Sequence, residues 1–299
     1  MKQIFVMLVM TLWSTIGSAQ QISVVWPFSM ADTTANFSRS LVEEINKAQK
    51  KYVFVYEHKP GAGATIAAKH VATTPNAVLS ASTAFFVRPI FYSADSHRVE
   101  DFQPLMTQCA TPMVIISKRY KSWQEIDRNT RLTIGISGLG ATSHLLAMQI
   151  AKIYPNAVLV PYKSTTDAMI DTISGNIDIS MGFVGEVEGY LDRGDLYALG
   201  ITGPRPVRGI PTLESQGFKG MKQAVNTLSL LVPKSMPPQQ FQELRTLVTA
   251  AAKKDSVKRA YSANYCDARD LDLVSAQRWY QEQIALWRQL AQGITIDDK

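Results

Sequence analysis

The sequence predicts an α/β protein folded as two lobes. Its 299 residues are enough for two separate cores, and 46% hydrophobic with 19% charged residues is typical of a globular protein and excludes disorder. Short apolar strands alternate with helical segments, and this pattern begins again near Arg131. In both halves the strands run into loops rich in glycine and hydroxyl residues. If the lobes face each other, these loops meet across a ligand cleft.

The N-terminus has the pattern of a secretory signal peptide over residues 1–19. Lys2 is its only charge, residues 4–13 form the apolar run, and residues 17–19 are small residues that allow cleavage before Gln20. No later stretch approaches the ~18 apolar residues that span a bilayer, and no cysteine directly follows the apolar run. We expect export to the periplasm of a Gram-negative bacterium, without a lipid anchor.

The net charge and its distribution argue against a nucleic-acid-binding protein. Removal of the signal leaves 31 minus 1, or 30, basic residues against 25 acidic residues. The densest basic group, at residues 253–259, fits a solvated helix face better than a nucleic-acid surface. The weak positive excess favours anionic solutes.

The cysteines and histidines indicate no metal site. Cys109 and Cys266 are far apart in sequence, and they are equally compatible with a disulfide in an oxidising compartment and with two buried free thiols. The four histidines are scattered and show no metal-ligand spacing. We expect neither a metal nor a cofactor.

The first lobe opens with three strand–loop–helix units. The predicted strands cover residues 22–26, 52–56 and 77–80. The loops that follow cover residues 27–34, 57–64 and 81–84. Phe37, Leu41 and Ile45 recur on one face of the first helix. In parallel βα units such loops lie at one sheet edge, where open α/β folds bind ligands.

The second loop, Glu57-His58-Lys59-Pro60-Gly61-Ala62-Gly63-Ala64, is the most informative stretch. Pro60 fixes φ, and Gly61 and Gly63 permit positive φ and a close backbone approach. The first N–H groups of the following helix can then point at a carboxylate or phosphate. The alternative is an ordinary βα turn whose glycines only solve a steric problem.

The second lobe repeats this design after an irregular stretch through residues 101–104, a strand at 112–116 and a short helix at 123–128. Strands are predicted over residues 131–136, 158–160, 177–180 and 196–201. The first runs into a glycine and hydroxyl loop at 137–144, and a helix covers residues 166–174. Lys163 could pair with an anion, although a surface lysine or a structural ion pair is the simpler role.

The chain then returns to the first lobe. Residues 228–232 form an apolar strand, and residues 238–252 form a helix. The last amphipathic helix covers residues 273–290, and its Tyr280, Ile284 and Trp287 are predicted to pack in the core.

No catalytic motif is complete. Gly135-Ile136-Ser137-Gly138-Leu139 breaks the serine-hydrolase elbow at its fifth position, and Ser143 stands where a dinucleotide loop needs its third glycine. His144 beside Ser143 or Ser137 could be a base with its nucleophile, but a histidine in a first helical turn more often caps or packs. We expect a protein that is not an enzyme.

Several segments together resemble the solute-binding proteins of tripartite tricarboxylate transporters, the Bug family. Residues 57–63 are similar to the family's ENRPGAG, and residues 135–145 are similar to its GSSGxGSSSHL. Weaker similarities lie at residues 160–163, 175–178, 210–213 and 231–234. The likeness extends from Ile22 to the C-terminus.

The resemblance implies a type II periplasmic binding fold, or Venus flytrap, with a ligand cleft between lobes. It implies capture of a small organic carboxylate and its delivery to membrane permease subunits by a monomer. The ligand-binding residues it implies are Pro27, Phe28, Ser29, Gly61, Ala62, Gly63, Ala64, Ser82, Ser137, Gly140, Thr142, Ser143, His144, Gly182 and Phe183. Lobe 1 is expected at residues 20–118 and 230–299, with the final helix least firmly assigned, and lobe 2 at 119–229.

The first loop departs from the family pattern. Met30 replaces the proline of the pattern PFxPGGxxD, Ala31 and Asp32 replace its two glycines, and Ala35 replaces its distal acid. Gly182 replaces an acid that often meets the far end of the ligand. These changes disfavour a second carboxylate in the first loop and a ligand that bears an amino group. The alternatives to transport are a ligand sensor acting on a membrane receptor and, with less support, a secreted enzyme on this scaffold.

Overall fold

The computed structural model describes residues 19–28, 34–269 and 272–293 and shows an α/β protein with two lobes. Most of the predicted signal peptide and the departures at Met30, Ala31 and Asp32 lie outside the described residues, as does Ser29. Within the described ranges, no helix is both long and apolar enough to cross a bilayer.

The elements alternate along the chain. The strands are β1 Gln20–Trp26, β2 Tyr52–His58, β3 Ala77–Ala81, β4 Phe102–Thr111, β5 Met113–Ser117, β6 Thr133–Ile136, β7 Val158–Pro161, β8 Ser180–Phe183, β9 Tyr197–Ile201, β10 Asn226–Pro233 and β11 Asp267–Ala268. The α-helices are α1 Ala35–Ala48, α2 Thr65–Thr73, α3 Ala84–Phe91, α4 Thr142–Ala151, α5 Thr165–Ser174, α6 Val184–Arg193, α7 Pro238–Ala252, α8 Asp255–Ser262 and α9 Leu273–Leu290.

The first lobe is built on a six-stranded sheet with the order β11-β4-β10-β3-β1-β2. β1 pairs with both β2 and β3 in parallel, so the ends of these three strands meet at one edge, as the βα pattern predicts. β10 returns antiparallel between β3 and β4, which confirms the predicted return to this lobe. The prediction of an irregular stretch at residues 101–104 is wrong, because β4 begins at Phe102. Pro104 lies within this strand, next to a shift in the pairing register with β10.

The second lobe contains the sheet β8-β5-β9 and the parallel pair β6-β7. A bridge between Ile134 and Ile179 joins the two sheets. The predicted strand at residues 177–180 starts too early: only this bridge pairs Ile179, and the strand itself begins at Ser180.

Strand pairing refines the expected lobe boundaries. β5 hydrogen-bonds to β8 and β9 of the second lobe, although it lies before residue 118, and β10 already belongs to the first sheet at Asn226. We propose that the chain crosses between lobes at Pro112 and again just before Asn226.

The C-terminal helix α9 packs against both lobes. Tyr280 and Trp287 are buried, as predicted, and they share one apolar cluster with Phe85 of α3 and Leu145 of α4. The Tyr280 hydroxyl donates to the Val99 carbonyl in the first lobe. At the other end of α9, the Gln149 amide from α4 donates to the Leu290 carbonyl, so α9 connects the lobes.

A disulfide joins Cys109 on β4 to Cys266 just before β11. It decides between the two alternatives that the sequence leaves open. The bond closes a loop of 157 residues in sequence separation, and both cysteines are buried.

Asp178 organises the end of the second lobe that is distant from the strand-end loops. It is 6% exposed, and its Oδ2 accepts from the backbone N–H and the hydroxyl of Thr133, at 2.9 and 2.7 Å. Its Oδ1 accepts from Arg119 at 2.6 Å. The carboxylate therefore joins the turn before β6 to the turn before β8.

Replacing Asp178 by alanine is expected to lower the free energy of unfolding by about 2 kcal/mol, because two part-buried donors of Thr133 lose their acceptor. Urea unfolding of the mature protein measures this change. Arg119→Ala is the matched control, and it should cost under about 1 kcal/mol because the arginine side chain is 62% exposed. Equal losses in both variants would contradict the network and indicate a simple ion pair.

Candidate functional site

A narrow cleft of about 50 Å³ lies between the lobes at the carboxyl ends of the strands. First-lobe residues come from the segments after β1 and β3 and from the start of β10. Second-lobe residues come from the start of β5, the segments after β6 and β7, and the end of β8. Its lining consists of Phe28, Thr34, Ser82, Ala84, Met113, Ser137, Ala141, Thr142, Ser143, Lys163, Ser164, Thr165, Phe183 and Asn226.

Three helix N-termini reach this cleft, those of α3, α4 and α5. Unpaired N–H groups and the helix dipole make each terminus a positive partial charge. Two of these helices belong to the second lobe and one to the first, so positive ends from both lobes meet at the cleft. Such an arrangement favours an anion with oxygen acceptors.

Hydroxyl groups supplement the helix ends. The Ser143 hydroxyl oxygen accepts from the Ser137 backbone N–H at 2.9 Å and lies 2.8 Å from the Ser137 hydroxyl. The Ser164 hydroxyl caps α5 by accepting from the Asp167 backbone N–H. These bonds hold the loops after β6 and β7 in fixed shapes at the cleft.

Lys163 is the one charged side chain among the described residues that line the cleft, and no acidic side chain lines it. Lys163 is exposed and makes no ion pair with any residue that the structure describes. The cleft is therefore electrostatically suited to an anion. An ammonium group would find no carboxylate in this lining.

The glycine loop after β2 has the strained backbone that its sequence suggests, but it does not line the 50 Å³ cavity. Gly61 and Gly63 have φ values of 129° and 53°, and Ala62 and Ala64 also have positive φ. A Cβ on Gly63 would lie 3.1 Å from Cδ of Arg88. In this conformation the Arg88 side chain therefore packs against the loop at Gly63.

Arg88 connects the two glycine loops across the lobes. Its Nη1 donates to the Leu139 carbonyl at 3.1 Å, and its guanidinium lies 3.5 Å from the centroid of the Tyr92 ring. A Cβ on Gly140 would approach Cδ of Arg88 to 2.9 Å. Glycine at positions 63 and 140 thus leaves room for an arginine that holds the lobes together.

His144 supports its loop from within the protein. The ring is 3% exposed, and Nδ1 accepts from the Gly140 backbone N–H at 3.0 Å. Burial lowers the pKa of His144, so the ring stays neutral and keeps this acceptor. The observed contact agrees with a packing role.

The position of Gly182, where the resemblance leads us to expect an acid, has a carboxylate beside it that serves another purpose. Glu186 Oε2 accepts from the Phe183 backbone N–H at 3.2 Å and lies 3.7 Å from the position of a Cβ on Gly182. Because the carboxylate caps α6, it neutralises that helix end and does not line the cleft. An acid three residues after a strand end was the signal for this cap.

The structure brings together part of the predicted site. Six predicted residues line the cleft, and they are Phe28, Ser82, Ser137, Thr142, Ser143 and Phe183. Outside the lining are Pro27, Gly61, Ala62, Gly63, Ala64, Gly140, His144 and Gly182. The residues that sequence reasoning missed are Thr34, Ala84, Met113, Ala141, Ser164, Thr165 and Asn226. Ser164 and Thr165 could have been found as hydroxyl residues in a strand-to-helix loop.

A larger groove of about 970 Å³ lies behind the lobe crossing, beside Pro112 and Val225. It is bounded by the sides of α8 and α9 and by no helix N-terminus. The described residues contain no cluster of side chains suited to hold a metal ion. The interlobe cleft is therefore the candidate site.

Comparison with known proteins gives a consistent result. A family model described as "Tripartite tricarboxylate transporter family receptor" matches residues 37–296. The periplasmic binding protein BugD is similar in structure, with a TM-score of 0.81 at 22% identity, covering 91% of this chain and 96% of that one.

Two of the similar structures are complexes with carboxylate ligands. The structure of R. palustris Rpa4515 with adipate has a TM-score of 0.79 at 21% identity. The match covers 93% of this chain and 97% of the Rpa4515 chain. MatC of Rhodopseudomonas palustris with bound malate has a TM-score of 0.80 at 19% identity. The match covers 91% of this chain and 99% of the MatC chain. At these identities the likeness establishes the two-lobed periplasmic binding fold.

Proposed function

Since this chain belongs to the tripartite tricarboxylate transporter receptor family, we propose that it is a periplasmic solute-binding protein that captures a small organic carboxylate between its lobes. The captured solute is delivered to membrane permease subunits, and the protein itself carries out no reaction. It acts as a monomer that binds by lobe closure.

One observation carries the proposal: three helix N-termini, hydroxyl groups and Lys163 meet in a cleft whose described lining has no acidic side chain. Carboxylate oxygens accept hydrogen bonds from such groups and are attracted by their positive partial charge. The malate and adipate of the similar structures are also carboxylates. An amine would lose its water shell without gaining a counter-charge.

Thermal unfolding of the mature protein tests the ligand class. The panel contains mono-, di- and tricarboxylates, aromatic acids, amino acids and neutral controls. We expect a carboxylate at about 100 times its Kd to stabilise the fold by about 2.7 kcal/mol and to raise the melting temperature by about 5 °C. Within matched pairs such as succinate and aspartate, the compound without the amino group should give the larger shift. Shifts only with amino acids or neutral compounds would contradict the proposal.

The contribution of Lys163 can be separated from unspecific charge effects. Lys163→Met is expected to weaken carboxylate binding about threefold, the value of an exposed ion pair of roughly 0.6 kcal/mol. Lys152→Met removes the same charge at the C-terminal end of α4, whose N-terminal end lies at the cleft, and should leave the Kd unchanged. Calorimetric titration measures both.

Delivery is tested in the cell. Deletion of the gene should abolish uptake of the identified carboxylate, and the mature protein should leave that carboxylate chemically unchanged on prolonged incubation. Retained uptake with loss of a transcriptional or motile response would favour the sensor function instead.

A further inference from the structure

Asn226 is a buried amide at the base of the cleft. It is the first residue of β10, it is 4% exposed, and it lines the cleft. It belongs to the segment where the chain returns from the second lobe to the first sheet. Its side chain therefore lines the cleft near the point where the chain passes from one lobe to the other.

A backbone donor defines the orientation of the amide. The Thr83 N–H donates to Asn226 Oδ1 at 3.3 Å. Because a backbone N–H can only donate, the oxygen of the amide must face Thr83, and the NH₂ group must face away from it. The Thr83 hydroxyl oxygen also accepts from the Thr227 backbone N–H at 2.9 Å, which holds β10 against the start of α3.

The Asn226 Nδ2 group makes no hydrogen bond with any residue in the described ranges. Because Asn226 lines the cleft and its Oδ1 faces Thr83, its Nδ2 donor is available to an acceptor that enters the cleft. The nearby lining adds further donors and no acid: Ser82 accepts from the Ala84 N–H through its oxygen and keeps its hydroxyl hydrogen free to donate. The complementary group is an oxygen acceptor.

We propose that Asn226 Nδ2 donates a hydrogen bond to a carboxylate oxygen of the bound solute and so anchors it at the base of the cleft. This inference rests on the proposed function and names a residue that hydrogen-bonds to the carboxylate. The position of Asn226 at the lobe crossing also places the ligand contact where closure occurs.

Asn226→Asp tests the proposal with nearly unchanged shape. The aspartate keeps an acceptor for the Thr83 N–H but replaces the donor by a charged acceptor that repels a carboxylate. With the panel carboxylate that stabilises the wild type most, we expect the Kd to rise about 100-fold at neutral pH. Asn226→Ser, which retains a shorter donor, should lose less, about 10-fold.

Asn156→Asp is the control, because it adds the same charge at an exposed turn after α4, far from the cleft end of that helix. Its Kd should equal that of the wild type. Melting of each variant without ligand verifies folding. If the wild type binds carboxylates and Asn226→Asp or the serine variant binds them equally well, the inference is overturned while the proposed function stands. If the wild type binds no carboxylate, both are overturned.

Discussion

Loss of the Cys109–Cys266 disulfide is expected to lower the free energy of unfolding by about 4 kcal/mol. The bond spans 157 residues, and in the chain-entropy account a loop of this length strongly restricts the unfolded chain. It also fixes the two-residue strand β11 to β4 at the edge of the first sheet. Urea unfolding of Cys109→Ala/Cys266→Ala against the wild type measures the loss.

Reduction provides the control for that variant. A thiol reductant should destabilise the wild type by a similar amount, whereas the double variant should not respond to it. Because both sulfurs are buried, reduction should proceed through partial opening of the chain. An unchanged unfolding midpoint with two titratable thiols would contradict the expectation.

Acidification is expected to destabilise the protein through His97 by about 3 kcal/mol between pH 6.5 and pH 4. The ring is 5% exposed and stacks on Phe85, and burial lowers the pKa of His97 from 6.5 to about 4. Its Nε2–H donates to the Phe85 carbonyl at 2.8 Å, so Nδ1 is the acceptor for the Thr65 hydroxyl at 3.2 Å. The neutral ring thus joins α2 and α3, the helices that follow two loops of the first lobe.

The sign follows from proton linkage. The unfolded chain binds a proton on His97 near pH 6.5, and the folded chain does so only near pH 4. This contribution to stability is complete above pH 6.5 and is lost as the pH falls toward 4.

Melting of His97→Gln at several pH values tests the contribution. Glutamine can donate to Phe85 and accept from Thr65 without titrating, so the variant should lose less stability on acidification than the wild type. His144 and His70 also have lowered pKa values and remain in both proteins, so the difference between the two curves isolates His97. Parallel curves would contradict the assignment.

Local sequence patterns predicted much of the architecture. The apolar stripe of α9 was predicted at residues 273–290, and the helix spans Leu273–Leu290. The parallel strands β1 to β3 and the return of β10 also followed from patterns of a few residues. β4 was missed because Pro104 disfavours a strand, yet β10 and β11 pair with β4 on both sides.

The candidate site was harder to predict where contacts are distant in sequence. Hydroxyl loops such as residues 137–143 were visible because a strand, a loop and a helix follow one another in the chain. Asn226 lies outside the strand predicted at residues 228–232, and the orientation of its amide depends on Thr83, which is 143 residues away. The absence of an acid at Gly182 is visible in the sequence, whereas the cap that Glu186 forms at the start of α6 was not predicted from it.

Residue order and local backbone preference are sufficient to predict many of the helices and strands, the two-lobed class, the family and the glycine and hydroxyl loops, although not β4, α6 or β11. Only the tertiary structure decided that Cys109 and Cys266 are bonded, that α9 packs on both lobes, and that Arg88 lies between Gly63 and Gly140. These are contacts between distant segments, and their geometry arises from packing of the whole chain. The same packing holds the Asn226 Oδ1 against the Thr83 N–H and leaves its Nδ2 group without a hydrogen-bond partner among the described residues.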